Sequence, residues 1–172
     1  VEYVRCVLEV KSKFSSSTTR KVIAHLKDLQ PLMGGIDDPQ ERYKLHLPAT
    51  FCCGLAFFEL EKQHQFSETA LNNLIAGHQL GRFFGGVILR GEGHQLDMTG
   101  RLSLMQYKTP NKSIIGENMQ SLLHLGMPQS ASIPIEGGGH LGAILMWSEM
   151  NFSQFAFDLI ALMQGTYEVG CV

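Results

Sequence analysis

The sequence has little that would mark a secreted or membrane-spanning protein. No apolar run in its 172 residues approaches the roughly 20 residues needed to cross a bilayer. The chain starts at Val1 without an initiator methionine or a signal-peptide pattern, so we expect it to be cut from a longer protein. We therefore predict a cytoplasmic module with no membrane partner.

Cysteine is scarce and lacks the spacing of a metal or redox motif. No C-x-x-C pair occurs among the four cysteines, which are Cys6, Cys52, Cys53 and Cys171. Their apolar or terminal surroundings favour reduced thiols over a disulfide framework. Adjacent thiols at Cys52 and Cys53 leave a thiol-based redox sensor as an alternative. On a strand the two would point to opposite faces, which favours burial as small hydrophobic residues.

Catalytic and metal-binding motifs are also missing. The seven histidines never form the H-x-x-x-H or H-E-x-x-H spacing that places two imidazoles on one helical face, and no G-x-S-x-G occurs. The triple glycine at residues 137–139 is followed by a second apolar run instead of a helix, so it predicts a turn and not a phosphate loop. The sequence predicts a non-enzymatic protein and identifies neither a metal site nor a cofactor.

Charge is low and nearly balanced. Charged residues make up 17% of the chain, the formal net charge is −2, and 44% of the residues are hydrophobic. This composition favours one globular domain over residues 1–172 with a substantial core. Without a basic field, we expect no direct contact of this domain with nucleic acid.

Regular patterns begin near the N-terminus. Residues 1–14 fit either strand alternation or a helical stripe, and their β-branched residues favour a strand. The Ser/Thr run at residues 15–18 predicts the start of a helix. Residues 34–48 have the glycine, proline and aspartate content of a surface loop, whereas the apolar run at residues 51–60 predicts a buried central strand.

The remaining chain alternates helices with pairs of strands. Residues 67–81 predict a helix, and residues 83–90 and 95–107 predict a β-hairpin. A further helix is expected between residues 111 and 126, where a glycine ends the periodic pattern. This order predicts an α+β fold with a central antiparallel or mixed sheet and helices packed on it.

The most regular stretch closes the chain. Residues 130–135 and 141–147 predict a second hairpin, after which Asn151 is placed to cap a final helix. The predicted buried face of this helix has apolar residues at steps of three and four, namely Phe152, Phe155, Ala156, Leu159, Ile160 and Met163.

The stretch from residue 67 to residue 164 resembles a GAF domain, a small-molecule sensor fold related to PAS domains. The resemblance rests on SETALNNLIAGHQLGRFFGGVILRGEGHQLDMTGRLSL, ENMQSLLHLGMPQSASIPIEGGGHLGAILMWS and FSQFAFDLIALM. Within it, Ile133-Pro134-Ile135, the glycine turn and Gly142-Ala143-Ile144-Leu145 occupy the places of the family's late segment. Residues 1–65 have no counterpart in the family, and residues 105–113 are shorter than its usual middle.

The resemblance implies a regulatory domain of a larger signalling or transcription-regulating protein. Such a domain binds an unidentified small molecule in a pocket between sheet and helices, or pairs with a second copy through its first and last helices, and we expect it to be a homodimer. The implied pocket has apolar walls with a few hydrogen-bonding groups, and its residues are Leu104, Gln106, Tyr107, Asn118, Met119, Leu122 and Ser132. The alternative is a protein–protein interaction or dimerisation module without a ligand, which would show a filled core and an exposed apolar patch.

Overall fold

A computed structural model describes residues 4–29, 51–61, 68–75, 83–107, 129–134 and 139–166. Six strands and three α-helices lie within these ranges. Their order along the chain is β1 (Cys6–Phe14), α1 (Ser16–Lys27), β2 (Cys52–Leu60), α2 (Glu68–Ile75), β3 (Phe83–Arg90), β4 (Thr99–Tyr107), β5 (Gln129–Pro134), β6 (His140–Ser148) and α3 (Asn151–Gln164). The expected loop at residues 34–48 and the helix expected between residues 111 and 126 lie outside the described residues.

The strands form one mixed sheet in the order β1-β2-β3-β4-β6-β5. The first three are parallel to one another, and the β3–β4, β4–β6 and β6–β5 pairs are antiparallel. The fold is therefore α+β with a mixed sheet, as the alternation of helices and strand pairs predicts. Both hairpins are confirmed, and β2 lies inside the sheet between β1 and β3, one position from the edge.

Local sequence explains where α1 begins. The Ser15 side chain accepts a hydrogen bond from the Thr18 backbone N–H, and the Thr18 hydroxyl accepts one from the Ser15 backbone N–H. This reciprocal capping satisfies two N–H groups that the first helical turn leaves without partners. The predicted helix start at the Ser/Thr run is confirmed, and the β-branched stretch before it forms the predicted strand.

Gly85 allows β3 to approach β4 closely. Its φ of 91° lies in a region that side-chain-bearing residues rarely adopt, and a Cβ there would collide with the carbonyl oxygen of Leu102. The register between β2 and β3 also shifts just before this point, between Cys53 and Leu55. Glycine at this position thus permits the close approach of β4 beside the irregular part of the β2–β3 pairing.

The first face of the sheet is covered by α1 and α2. The β1–α1–β2 and β2–α2–β3 connections each lead to the neighbouring parallel strand, in the same direction across the sheet. Because such connections are right-handed, α1 and α2 lie on the same side of the sheet. Helix α1 contributes Val22 and Leu26 to this core, and α2 contributes Leu71 and Leu74. The sheet side of the core is formed by buried residues of all six strands, including Phe14, Leu55, Phe57, Ile88, Leu102, Ala131, Leu145 and Trp147.

The second face is covered by α3 alone among the described elements. Phe155 and Leu162 of α3 pack with Cys52, Phe84 and Val87. The helix starts beside Thr99 and Met146, where β4 begins and β6 ends, and finishes beside Arg5, just before β1. It therefore crosses the sheet obliquely and leaves the far ends of β1 and β2 uncovered.

Two expectations about α3 are wrong. Met150, not Asn151, precedes the first helical residue, and the Asn151 side chain instead donates to the backbone oxygens of Thr99 and Met146. The predicted buried stripe is also rotated, because Phe155 is buried whereas Phe152, Ile160 and Met163 are exposed. Apolar residues occur on every side of this helix, so their spacing alone does not determine which side packs on the sheet.

No helix in the described ranges is long and apolar enough to span a membrane.

Candidate functional site: the outer face of helix α3

The outer side of α3 exposes large apolar side chains. Phe157 is 70% exposed and Phe152 is 53% exposed, whereas Phe155 on the opposite side is only 5% exposed. We call the exposed set the α3 surface, and its residues are Met150, Phe152, Phe157, Ile160 and Met163. Single exposed apolar residues are common in proteins, but five on or next to one helix mark a patch of the kind used for binding.

The α3 surface contains no charge. The other exposed side chains of the helix belong to Ser153, Gln154 and Gln164. Asp158 is the only charged residue of α3, and its Oδ2 accepts a hydrogen bond from the Arg101 Nη2 at 3.0 Å. Because that carboxylate is directed to β4, it is engaged within the domain. The outward side of the helix therefore offers apolar groups and neutral hydrogen-bonding groups only, and the exposed Glu149 lies just before the helix, next to Met150.

Contacts on the inner side hold α3 in place. The Phe155 ring stacks on Phe84 with a centroid separation of 5.3 Å, and the Arg101 guanidinium lies 4.9 Å from the Phe155 centroid. Asn151 fixes the first turn through two 2.8 Å hydrogen bonds to strand carbonyls. At the other end, the Arg5 guanidinium donates to the backbone oxygen of Met163. The surface is thus presented by a helix anchored at both ends.

Two exposed apolar residues of the sheet lie on the same face as α3. Val10 of β1 is 54% exposed, and Phe58 of β2 is also exposed. In the parallel register Val10 is opposite Ala56, which packs with the second core cluster, and side-chain alternation places Phe58 on that same face. The uncovered ends of β1 and β2 therefore extend the apolar character of this side.

Four of the seven residues of the implied pocket lie within the described ranges. Leu104 packs against the first core, while Ser132 is exposed on β5. Ala131 is buried in the first core, so alternation places Ser132 on the opposite face from Leu104. Gln106 and Tyr107 lie on β4, opposite Leu141 and His140 of β6. Asn118, Met119 and Leu122 lie outside the described residues, so the pocket stays a prediction.

The two adjacent cysteines face opposite sides, as expected for a strand. Cys53 belongs to the first core and Cys52 to the second. Burial raises the pKa of Cys53 to about 12, and a hydrogen bond with Cys52 followed by burial raises the pKa of Cys6 well above its ordinary value. Thiols with raised pKa values remain protonated at neutral pH and are weak nucleophiles. This environment favours a structural role for Cys53 over redox chemistry.

Within the described ranges, no group of three or more His, Cys, Asp or Glu residues is arranged to hold a metal ion.

The class of protein that these features define is an α+β domain with an exposed apolar helix face. Comparison with protein-family models, curated proteins and solved structures finds no match to this chain. The GAF resemblance therefore stays a prediction, and function has to be inferred from the surface itself.

Sequence periodicity missed the α3 surface, although a signal for it was present. Apolar residues occupy nine of the positions in α3, namely Phe152, Phe155, Ala156, Phe157, Leu159, Ile160, Ala161, Leu162 and Met163. A helix that packs one side on a sheet needs only a single apolar stripe. Because only one side of α3 packs on the sheet, the additional apolar residues indicate a second contact surface.

Proposed function

We propose that this chain is a non-enzymatic protein interaction domain whose α3 surface binds an amphipathic helix of a partner protein. The observation that carries the proposal is the pair of exposed phenylalanines, Phe152 and Phe157, on a helix whose opposite side is anchored to the sheet. Burying such side chains supplies the main driving force of protein association.

The size of the α3 surface suits a moderate interface. Taking about 200 Å² for each full side chain, its five residues expose about 560 Å². A standard complex buries about 800 Å² on each partner, so the surface supplies more than half of that area. The uncovered Val10 and Phe58 on the same face are candidates for the remainder.

The shape and chemistry of the surface favour a helical partner. Phe152 and Met163 are separated by 11 residues of α3, which corresponds to about 16 Å along a helix. A partner helix of similar length would present its own apolar residues at steps of three and four, so that the side chains of the two helices can interdigitate. Because the exposed positions of α3 are uncharged, the contacting side of the partner is expected to be uncharged too.

A selection from a library of amphipathic helical peptides tests this proposal. We expect peptides with uncharged apolar stripes to be enriched on the wild-type domain, and their affinity to fall at least tenfold in the Phe157→Glu variant. A glutamate there would place a charge within a dry interface. Binding is measured by fluorescence anisotropy of labelled peptides.

A matched variant adds the same charge elsewhere. Ala24 is an exposed residue of α1 on the other side of the sheet, so Ala24→Glu should leave peptide affinity unchanged. Enriched peptides that bind the Phe157→Glu variant as tightly as the wild type would contradict the proposal. A library that yields no binder at all would contradict it as well.

Small-molecule sensing in a signalling or transcription-regulating protein, as the GAF resemblance implies, remains a separate prediction. Native mass spectrometry of the purified domain would reveal a retained ligand. Failure to retain a ligand would leave the α3 proposal intact, because the α3 surface does not include any of the seven predicted pocket residues.

A further inference from the structure

Strand β1 lies at one edge of the sheet. In the part of the chain that the structure describes, it pairs with β2 and has no strand on its other side. It is nine residues long and contains no proline, whereas β5 at the opposite edge has six residues and ends at Pro134. A long edge strand without proline can accept another strand through its backbone groups.

The side chains of β1 alternate in a way that suits pairing with itself. Glu9 and Lys11 lie on the first face, where the Lys11 ammonium is 2.7 Å from the Glu9 carboxylate and the His25 imidazole is 3.0 Å from it. The Lys11 hydrogen bond holds the pKa of Glu9 below its ordinary value, so this residue is charged at neutral pH. Val10 lies between Glu9 and Lys11 in the sequence, points to the other face and is more than half exposed.

We propose that a second copy of this chain pairs with β1 in antiparallel orientation, around a two-fold axis at Val10. In this register Glu9 of each copy lies opposite Lys11 of the other, which gives two complementary charge pairs on the first face. The two Val10 side chains meet on the second face. The two sheets join into one continuous sheet of twice the width.

Neighbouring registers are disfavoured by charge. A two-fold axis perpendicular to the sheet keeps the first faces of both copies on the same side. Directly opposite residues must then point to the same face, so the axis has to pass between a residue and the same residue of the second copy. An axis at Glu9 would place the two Glu9 carboxylates opposite each other, and an axis at Lys11 would do the same with two ammonium groups. Like charges directly opposite destabilise a strand pair, whereas opposite charges stabilise it. The axis at Val10 avoids both conflicts.

Backbone orientation agrees with this axis. The Arg5 carbonyl accepts a hydrogen bond from the Cys52 N–H, so the backbone groups of Arg5 point toward β2. The register with β2 is continuous from Cys6 to Lys11, so alternation directs those of Cys6, Leu8 and Val10 to the open edge. The alternation changes phase only after Lys11, where the register is interrupted and the Phe14 carbonyl again accepts a hydrogen bond from the Glu61 N–H of β2. Two Val10 residues facing each other would exchange N–H···O=C hydrogen bonds in both directions, as in the hydrogen-bonded pair of an antiparallel ladder.

Charge reversal with mixing tests the register. We expect the wild type to form a salt-sensitive dimer in analytical ultracentrifugation at low ionic strength. The single variants Glu9→Lys and Lys11→Glu should each weaken it by about tenfold or more, because both charge pairs become repulsive. An equimolar mixture of the two variants should recover the dimer, since only the mixed pair restores opposite charges at all four positions. The double variant Glu9→Lys/Lys11→Glu should dimerise as the wild type does.

Other results would overturn the proposal. Circular dichroism first establishes that each variant is folded, so that lost association is not lost structure. A wild type that stays monomeric at high concentration would refute the dimer, and so would single variants that dimerise normally or a mixture that fails to recover. The Phe157→Glu variant separates this dimer from the α3 proposal. If only that substitution dissociates the dimer, the second copy sits on α3 and the β1 pairing is wrong, while the α3 surface keeps its role in binding.

Discussion

Replacing Asn151 with alanine should lower the free energy of unfolding by about 2 to 4 kcal/mol. The Asn151 side chain is buried and its Nδ2 lies 2.8 Å from both the Thr99 and the Met146 backbone oxygens. Each hydrogen bond contributes about 1 kcal/mol net, and a buried carbonyl left without its donor costs more. The loss should loosen the first turn of α3 and with it the α3 surface.

The Asn151→Asp variant sharpens this prediction because it keeps the shape of the side chain. An ionised carboxylate only accepts hydrogen bonds, so it would face two carbonyl oxygens without a proton to donate. We expect this variant to be less stable than Asn151→Ala at neutral pH. Burial raises the pKa of a carboxyl group in the folded state. The free energy of unfolding of Asn151→Asp, compared with that of the wild type, should therefore be highest in acid, below about pH 3.9, and should fall as pH rises.

The chain has a built-in probe for these measurements. Trp147 is the single tryptophan and is buried in the first core, so its fluorescence reports unfolding in urea. Circular dichroism of the same samples follows the helices. If Asn151→Ala lies within about 0.5 kcal/mol of the wild type, the two hydrogen bonds are not what fixes α3. Equal stability of the alanine and aspartate variants at neutral pH would refute the assigned donor role.

Two further predictions concern burial. The Phe155→Ala variant should lose about 3 to 5 kcal/mol in urea unfolding, whereas Phe157→Ala should stay within about 0.5 kcal/mol of the wild type. Similar losses in both would contradict the orientation of α3. The raised pKa of Cys53, about 12 against an ordinary value of 9.0, means that the unfolded chain releases this proton first as pH rises. Stability is then fully present below pH 9.0 and falls above it, by about 1.4 kcal/mol per pH unit from this residue. A Cys53→Ala variant should show a shallower alkaline decline, and parallel curves would refute that assignment.

Local sequence patterns predicted the helices and strands well, because each of them depends on residues that are close together in the sequence. The Ser15 capping box, the apolar run of β2 and the two hairpins depend on neighbours a few residues away. The sequence also predicted a mixed or antiparallel sheet from the order of elements. The parallel pairing of β1, β2 and β3 depends on how the chain crosses from one strand to the next. Local sequence patterns do not determine how segments so far apart in the sequence align.

The candidate site was harder to predict, because it depends on which side of α3 meets the sheet. Phe152 and Phe155 are equally apolar, and only the contacts of Phe155 with Phe84 and Arg101 distinguish the buried ring from the exposed one. Asn151 was misjudged for a similar reason. Its amide can cap a helix or reach a strand carbonyl, and the choice depends on strands that are distant in sequence.

Strand β3 joins the parallel part of the sheet to its antiparallel part, and this arrangement has a consequence for the order of folding. Antiparallel hairpins such as β3–β4 close short loops, whereas β1 and β2 are separated by a much longer stretch of the sequence. We expect the hairpin regions to acquire protection from hydrogen exchange first during refolding. The edge at β1 would then be completed last, which would leave its backbone amides accessible to other chains while the remainder of the domain is already native.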